Sequence, residues 1–116
     1  MRTSSFKLHA VLKSQLDKTF FQTLADLKGP EEVEIFLRDF LNESEFETFV
    51  KRLAVAYWLK KGRSYSNINN NLKVSSATIA SVHETLNKPG IKLALKKLEA
   101  EEWANVWAEK IQKFVK

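Results

Sequence analysis

The sequence predicts an all-α fold. Apolar residues recur at i+3 and i+4 along most of the chain, and no stretch shows the strict alternation of a half-buried strand. Chain-breakers are scarce as well, with only 3 Gly and 2 Pro in 116 residues, which leaves little material for turn-rich β structure.

The elements follow in order. Leu8, Leu12, Leu16, Phe20, Leu24 and Leu27 form one stripe of a long amphipathic helix that ends at Lys28-Gly29-Pro30, where Gly terminates one helix and Pro opens the next. Val33, Phe36, Leu37, Phe40 and Leu41 mark a second, shorter helix. Asn42-Glu43-Ser44-Glu45 has the form of a capping box, and a third helix follows with Phe46, Phe49, Val50, Leu53 and Tyr57 on one face. It stops at Lys60-Lys61-Gly62, with cations in its last turn and Gly at its C-terminal cap. After Lys88-Pro89-Gly90 come Ile91, Leu95 and Leu98, then Trp103, Val106, Trp107, Ile111 and Phe114. They read as one long helix, or as two with a bend near Ala100-Glu101, where the stripe shifts.

The length suits a single domain over residues 1–116, with a C-terminal helical extension at 99–116. Phe36, Phe40, Phe46, Phe49, Tyr57 and Trp58 crowd more aromatic bulk into one segment than isolated helices hide, so a second subunit is expected to share the core. An aromatic ligand pocket is the alternative use of the same residues.

Several chemistries are excluded. The chain has no Cys, which rules out disulfides and thiolate metal sites, and His9 and His83 stand too far apart in sequence to suggest a His-based one. No cofactor is expected. Paired carboxylates, a nucleophile set and a phosphate-cradling Gly loop are missing from the pattern, so the chain does not read as an enzyme. The N-terminus is polar throughout and no segment approaches the roughly 18 apolar residues of a membrane span. A cytoplasmic protein without membrane contact is the expectation.

Charge is unevenly placed. Residues 63–98 carry Arg63, Lys73, Lys88, Lys92, Lys96 and Lys97 against the single acid Glu84, which accounts for the whole formal net charge of +5. A lysine-rich surface can serve solubility alone. Here it coincides with a specific pattern between Ser64 and Asn87. Ser64 can cap a short helix with Tyr65, Ile68 and Leu72; Lys73-Val74 makes a turn; Ser75 or Ser76 caps a second helix with Ile79, Val82 and Leu86 inward. Ile68, Leu72, Val74, Ile79 and Val82 are the positions that a helix-turn-helix unit over 64–87 must bury. Two residues depart from the ideal unit: Asn69 replaces a small residue in the first helix, and Lys73 replaces Gly in the turn. A Lys held in the left-handed region costs on the order of 1 kcal/mol relative to Gly.

If the second helix lies in the major groove of double-stranded DNA, its base-facing residues are Ser75, Ser76, Ala77, Ala80 and Ser81, with His83 and Glu84 a turn later. This set has no bidentate Arg or Asn, so base readout is expected to be weak. Phosphate contacts fall to Arg63, Ser66, Asn67, Lys73, Thr78, Lys88 and Lys92. The cluster Asn67, Asn69, Asn70, Asn71 either reaches base edges or forms a solvated polar face.

Residues of about 31–98 resemble the Trp repressor family, and in particular its Trp repressor-like bacterial members. The resemblance rests on the Asn42-Glu43-Ser44-Glu45 cap, Arg52-Leu53-Ala54-Val55, the helix end Leu59-Lys60-Lys61-Gly62, and Ala77-Thr78-Ile79 at the start of the second helix. It implies a Trp repressor-like helical bundle, an interwoven homodimer, and one helix-turn-helix unit per subunit in successive major grooves. It also implies where an amino-acid effector would sit. Of the two arginines in that pocket, the first has a counterpart in Arg52, but the second position is Ser81, and Val82 stands where Gly leaves room for an indole. Tryptophan is therefore not the expected effector. A DNA-binding regulator is the leading reading, and a degenerate relative that serves protein-protein contacts is the alternative.

Overall fold

The computed structural model describes residues 9–101, 106 and 109–113. Six helices are defined: α1 (Ala10–Asp26), α2 (Gly29–Phe40), α3 (Glu43–Lys60), α4 (Tyr65–Leu72), α5 (Ser76–His83) and α6 (Pro89–Ala100). Residues 109–113 are helical too, and no strand occurs among the described residues. Contacts divide the chain into two units, Met1–Glu43 and Ser44–Lys116.

In the first unit, His9 opens α1 by accepting from the Val11 N–H through Nδ1 at 3.3 Å. The i,i+4 pair Lys13–Asp17 at 3.0 Å lies on its exposed face. Pro30 sits in the first turn of α2, where its missing N–H is no loss, and Glu32 reaches back to accept from the Lys28 N–H at 2.9 Å. The two helices meet through Phe20 and Phe40, ring centroids 6.1 Å apart, and Phe36 stacks on Phe40 at 4.9 Å. No residue of either helix is buried. The stripe predicted for α1 is helical as expected, yet Leu12, Leu16 and Phe20 remain 45%, 49% and 44% exposed. Leu8 lies outside the described residues.

The second unit is organised around α3. Ala54, Val55, Ala56, Tyr57 and Trp58 are all buried, so this stretch is covered on every side. That corrects the sequence reading, which placed the core face on Phe46, Phe49, Val50, Leu53 and Tyr57. Of these only Tyr57 is buried, while Phe49 and Val50 are about half exposed. The reason is that the run from Leu53 to Leu59 is apolar on all faces, so helical spacing alone does not say which side meets the other helices. Ile68, Ile79, Val82, Leu95, Leu98 and Ile111 complete the core against α3.

The end of α3 follows the local sequence closely. Gly62 takes φ 83°, its N–H donates to Leu59 O at 3.0 Å, and the Arg63 N–H donates to Trp58 O at 3.1 Å. This pair of bonds is a Schellman motif, which satisfies two orphan carbonyls and turns the chain toward α4. Helix α6 ends at Ala100, and Glu101 is extended with φ −81° and ψ 142°, so the chain has the second of the two predicted forms, a break near 100–101. Trp103, Trp107 and Phe114 lie outside the described residues.

A Cβ added at Gly62 meets nothing within 4 Å, which leaves backbone strain as the only cost of substitution. Gly62→Ala is expected to lower stability by about 1 kcal/mol, read as a fall of a few degrees in the thermal unfolding midpoint.

Candidate nucleic-acid interface

Helix α4 begins where Ser64, extended at φ −74° and ψ 158°, accepts from the Asn67 N–H through its hydroxyl at 3.1 Å. It ends at Lys73, which adopts φ 57° and ψ 49°. Lys73 is the one non-glycine residue with positive φ among the described residues. Its N–H donates to Asn69 O at 3.0 Å, closing the last turn of α4. Of the two candidate caps for the next helix, Ser75 is the one used: its hydroxyl accepts from the Thr78 N–H at 3.1 Å.

The two short helices pack on each other through apolar residues. Ile68 and Ile79 have no exposed surface, Val82 has 3%, and Leu72 and Val74 are partly buried against the same cluster. Two polar contacts, not anticipated from the sequence, tie the unit across its turn. Asn69 donates from Nδ2 to Val74 O, so the residue that replaces a small side chain bridges α4 to the start of the next segment. Tyr65, at the head of α4, places its hydroxyl 2.8 Å from His83 Nδ1 at the tail of α5, and the two rings meet edge to face at 5.8 Å. The second helix is shorter than the sequence suggests. It ends at His83, and residues 84–87 continue as turns with Thr85 N–H to Val82 O at 2.9 Å and Leu86 N–H to His83 O at 3.2 Å. Thr85 explains the early stop, because its Oγ1 also donates to Val82 O at 2.7 Å and competes for the carbonyl at the helix end.

The candidate base-facing residues Ser75, Ser76, Ala77, Ala80 and Ser81 are all exposed. Ser75 is engaged as a cap and lies 3.0 Å from Thr78 Oγ1, so Ser76, Ala77, Ala80 and Ser81 are the four with side chains fully available. Among the phosphate candidates, Ser66, Lys73, Lys88 and Lys92 are exposed, and Arg63, Asn67 and Thr78 are partly buried. Asn67 is the least suited to that role. Its Oδ1 is buried without a partner and is an acceptor, which a phosphate oxygen does not satisfy.

Two of the candidate cations, Lys73 and Lys92, line clefts, and Arg63 and Lys88 line neither. Lys73, Ser75, Thr78 and Ser81 line a cleft of about 540 Å³ together with Thr48, Lys51 and Arg52 of α3. The α3 contribution escaped the sequence reading for Thr48 and Lys51, although their i, i+3 spacing places both on one face with Arg52. Lys92 lines a different cleft, about 530 Å³, with Lys60, Asn87 and Lys96. Val82 and Ser81 form part of the first cleft's wall beside Arg52.

A helix-turn-helix built on a buried central helix, with a basic cleft at its turn, is the setting for the comparisons with known proteins. The family model described as Trp repressor protein matches residues 14–99. The chain belongs to the Trp repressor family. That family is one of regulatory DNA-binding proteins, and the all-α architecture with a helix-turn-helix in α4 and α5 agrees with membership. The uncharacterized protein YerC of Bacillus subtilis (strain 168) is 34% identical over 73 residues, which span 63% of this chain and 69% of YerC. No solved structure gives a significant match.

Asn69→Ala leaves Val74 O without its donor at a partly buried site. A loss of about 1 kcal/mol in urea unfolding is expected, with no change in helix content of the folded state by circular dichroism.

Proposed function

We propose that the protein is a transcriptional regulator that binds double-stranded DNA as a homodimer, with α5 of each subunit in the major groove. The observation that carries this reading is the helix-turn-helix of α4 and α5, whose exposed N-terminal half of α5 adjoins the cationic cleft of Lys51, Arg52 and Lys73. Ser76, Ala77, Ala80 and Ser81 face the bases, where hydroxyls donate or accept and methyl groups meet the thymine methyl. Lys73, Ser66, Thr78 and Arg63 bind phosphate around the turn, and Lys88 and Lys92 bind it beyond α5. The α5 N-terminus adds backbone N–H donors. The whole chain acts as one Trp repressor-like domain in the cytoplasm.

The apolar surface of α1 and α2 supports the homodimer. Leu16, Phe20 and Phe21 on α1 and Ile35 and Phe40 on α2 are between 44% and 65% exposed, more contiguous apolar surface than a lone subunit leaves in water. Tryptophan is not the effector, since Ser81 supplies no charge-assisted bond to a carboxylate opposite Arg52, a contact that typically contributes about 1.5 to 3 kcal/mol. The second reading, a protein-protein interaction module, draws on one feature: α5 carries neither Lys nor Arg.

DNA binding is tested by fluorescence anisotropy on a random duplex pool across a salt series. Lys73→Ala is expected to weaken binding to all sequences and to lower the salt slope by about one unit. Lys73→Gly should weaken DNA binding equally while raising stability by roughly 0.5 to 1 kcal/mol, because Gly relieves the left-handed backbone. A wild-type chain that shows no salt-dependent binding favours the interaction module. For the dimer, Phe20→Glu is expected to convert a two-subunit species to a monomer in sedimentation equilibrium.

A further inference from the structure

The largely apolar cavity of about 390 Å³ beside the helix-turn-helix is bounded on three sides. Val50, Ala54 and Trp58, spaced i, i+4, i+8, form the α3 wall; Leu72 closes the end toward α4; Ile111 forms the third side. Ile111 and its neighbour Lys110 lie beyond residues 14–99, the stretch matched by the family model. The volume falls at the small end of ligand cavities and suits a single-ring molecule.

The polar groups at the mouth fix the charge of the occupant. Among the described residues, Lys51 and Lys110 are the charged ones that line the cavity, and no acid does. Lys51 pairs with Glu47 at 3.1 Å, but the Glu47 side chain is 63% exposed and such a surface pair contributes little, so the ammonium group is free to change partner. Asn71 lines the cavity too; one N–H of its Nδ2 donates to Asn67 O at 2.8 Å, which leaves the second as a neutral donor beside the two lysines.

We propose that this cavity binds a small effector with an apolar, single-ring body and one anionic group, the body against Ala54, Trp58, Leu72 and Ile111 and the anion on Lys51 and Lys110. Asn71 and Leu72 immediately precede Lys73, the left-handed residue of the turn, so an occupant presses on the junction that sets α5 relative to α4. That output rests on the DNA-binding reading, whereas occupancy does not, so the two are measured separately.

The probe is 4-phenylbutyrate, with 4-phenylbutan-1-ol as its uncharged counterpart, titrated into the full-length chain without DNA and followed by amide chemical shifts. Saturable binding is expected, with shifts centred on Ala54, Leu72 and Ile111 and the acid preferred over the alcohol. Lys110→Glu, at an exposed position, is expected to weaken the acid roughly three- to tenfold and leave the alcohol unchanged. Ala54→Leu is expected to reduce both by filling the cavity. The proposal is overturned by shifts that centre on α1 and α2, by linear shifts without saturation, or by equal acid affinity in wild type and Lys110→Glu. Adding the acid to the anisotropy assay then reads the coupling: changed DNA affinity supports it, and unchanged affinity in a chain that binds both removes the regulatory output while the site stands.

Discussion

Five consecutive buried residues, Ala54 to Trp58, set the terms for the second unit. A helical segment buried on all its faces must be enclosed by other helices, because every side that meets water forfeits apolar burial of about 25 cal/mol per Å². Short helices such as α4 and α5, eight residues each, do not hold their shape alone in water. They are ordered by inserting Ile68, Ile79 and Val82 into the surface that α3 offers. The interface residues on the outer side of α4 and α5 are thereby fixed by contacts on the inner side, which is how a weakly charged recognition helix still acquires a defined direction.

What was legible in the sequence was mostly local. The Schellman end at Gly62, the caps at Ser64 and Ser75 and the left-handed Lys73 are written within a few residues of where they act. The five positions of the helix-turn-helix were legible because two crossing helices leave few spacings through which they touch. Tyr65 and His83 were not, since a contact between residues 18 apart depends on that crossing and on side-chain reach. The inward face of α3 was misread for a related reason. A run that is apolar all round has no amphipathic direction, and only the assembled neighbours decide which side-chain surfaces are covered. The early end of α5 was hidden in Thr85, whose hydroxyl competes with the backbone in a way that periodicity does not register.

The aromatic crowding from Phe36 to Trp58 has two resolutions. Tyr57 and Trp58 are absorbed by the core of their own chain, 2% and 6% exposed, and need nothing further. Phe40 and Phe49 remain 58% and 55% exposed, and this difference, rather than the total aromatic content, is what the proposed homodimer rests on. The ligand alternative is confined in the same way. The Phe36–Phe40 stack lies on the exposed surface of the first unit, while the apolar cleft bounded by α3, Leu72 and Ile111 lies beside Trp58, with cations at its mouth.

The lack of charge on α5 separates affinity from specificity. Affinity for a polyanion comes from counterion release, and each cation contributes whether or not it sits on α5, so under the proposed function Lys73, Lys88 and Lys92 serve as well as arginines on α5 would. Base discrimination does not transfer in that way, because Ser and Ala in the groove supply single hydrogen bonds and methyl contacts instead of bidentate pairs. In the proposed homodimer, two weak half-site readings held at fixed spacing, together with the deformability of the DNA between them, select the site. The rigidity of the path from α3 through the Lys73 turn to α5 then matters more than any one base contact, since an angular error at the turn displaces every reading residue at once. Asn69, bonded across that turn to Val74 O, helps to hold that angle.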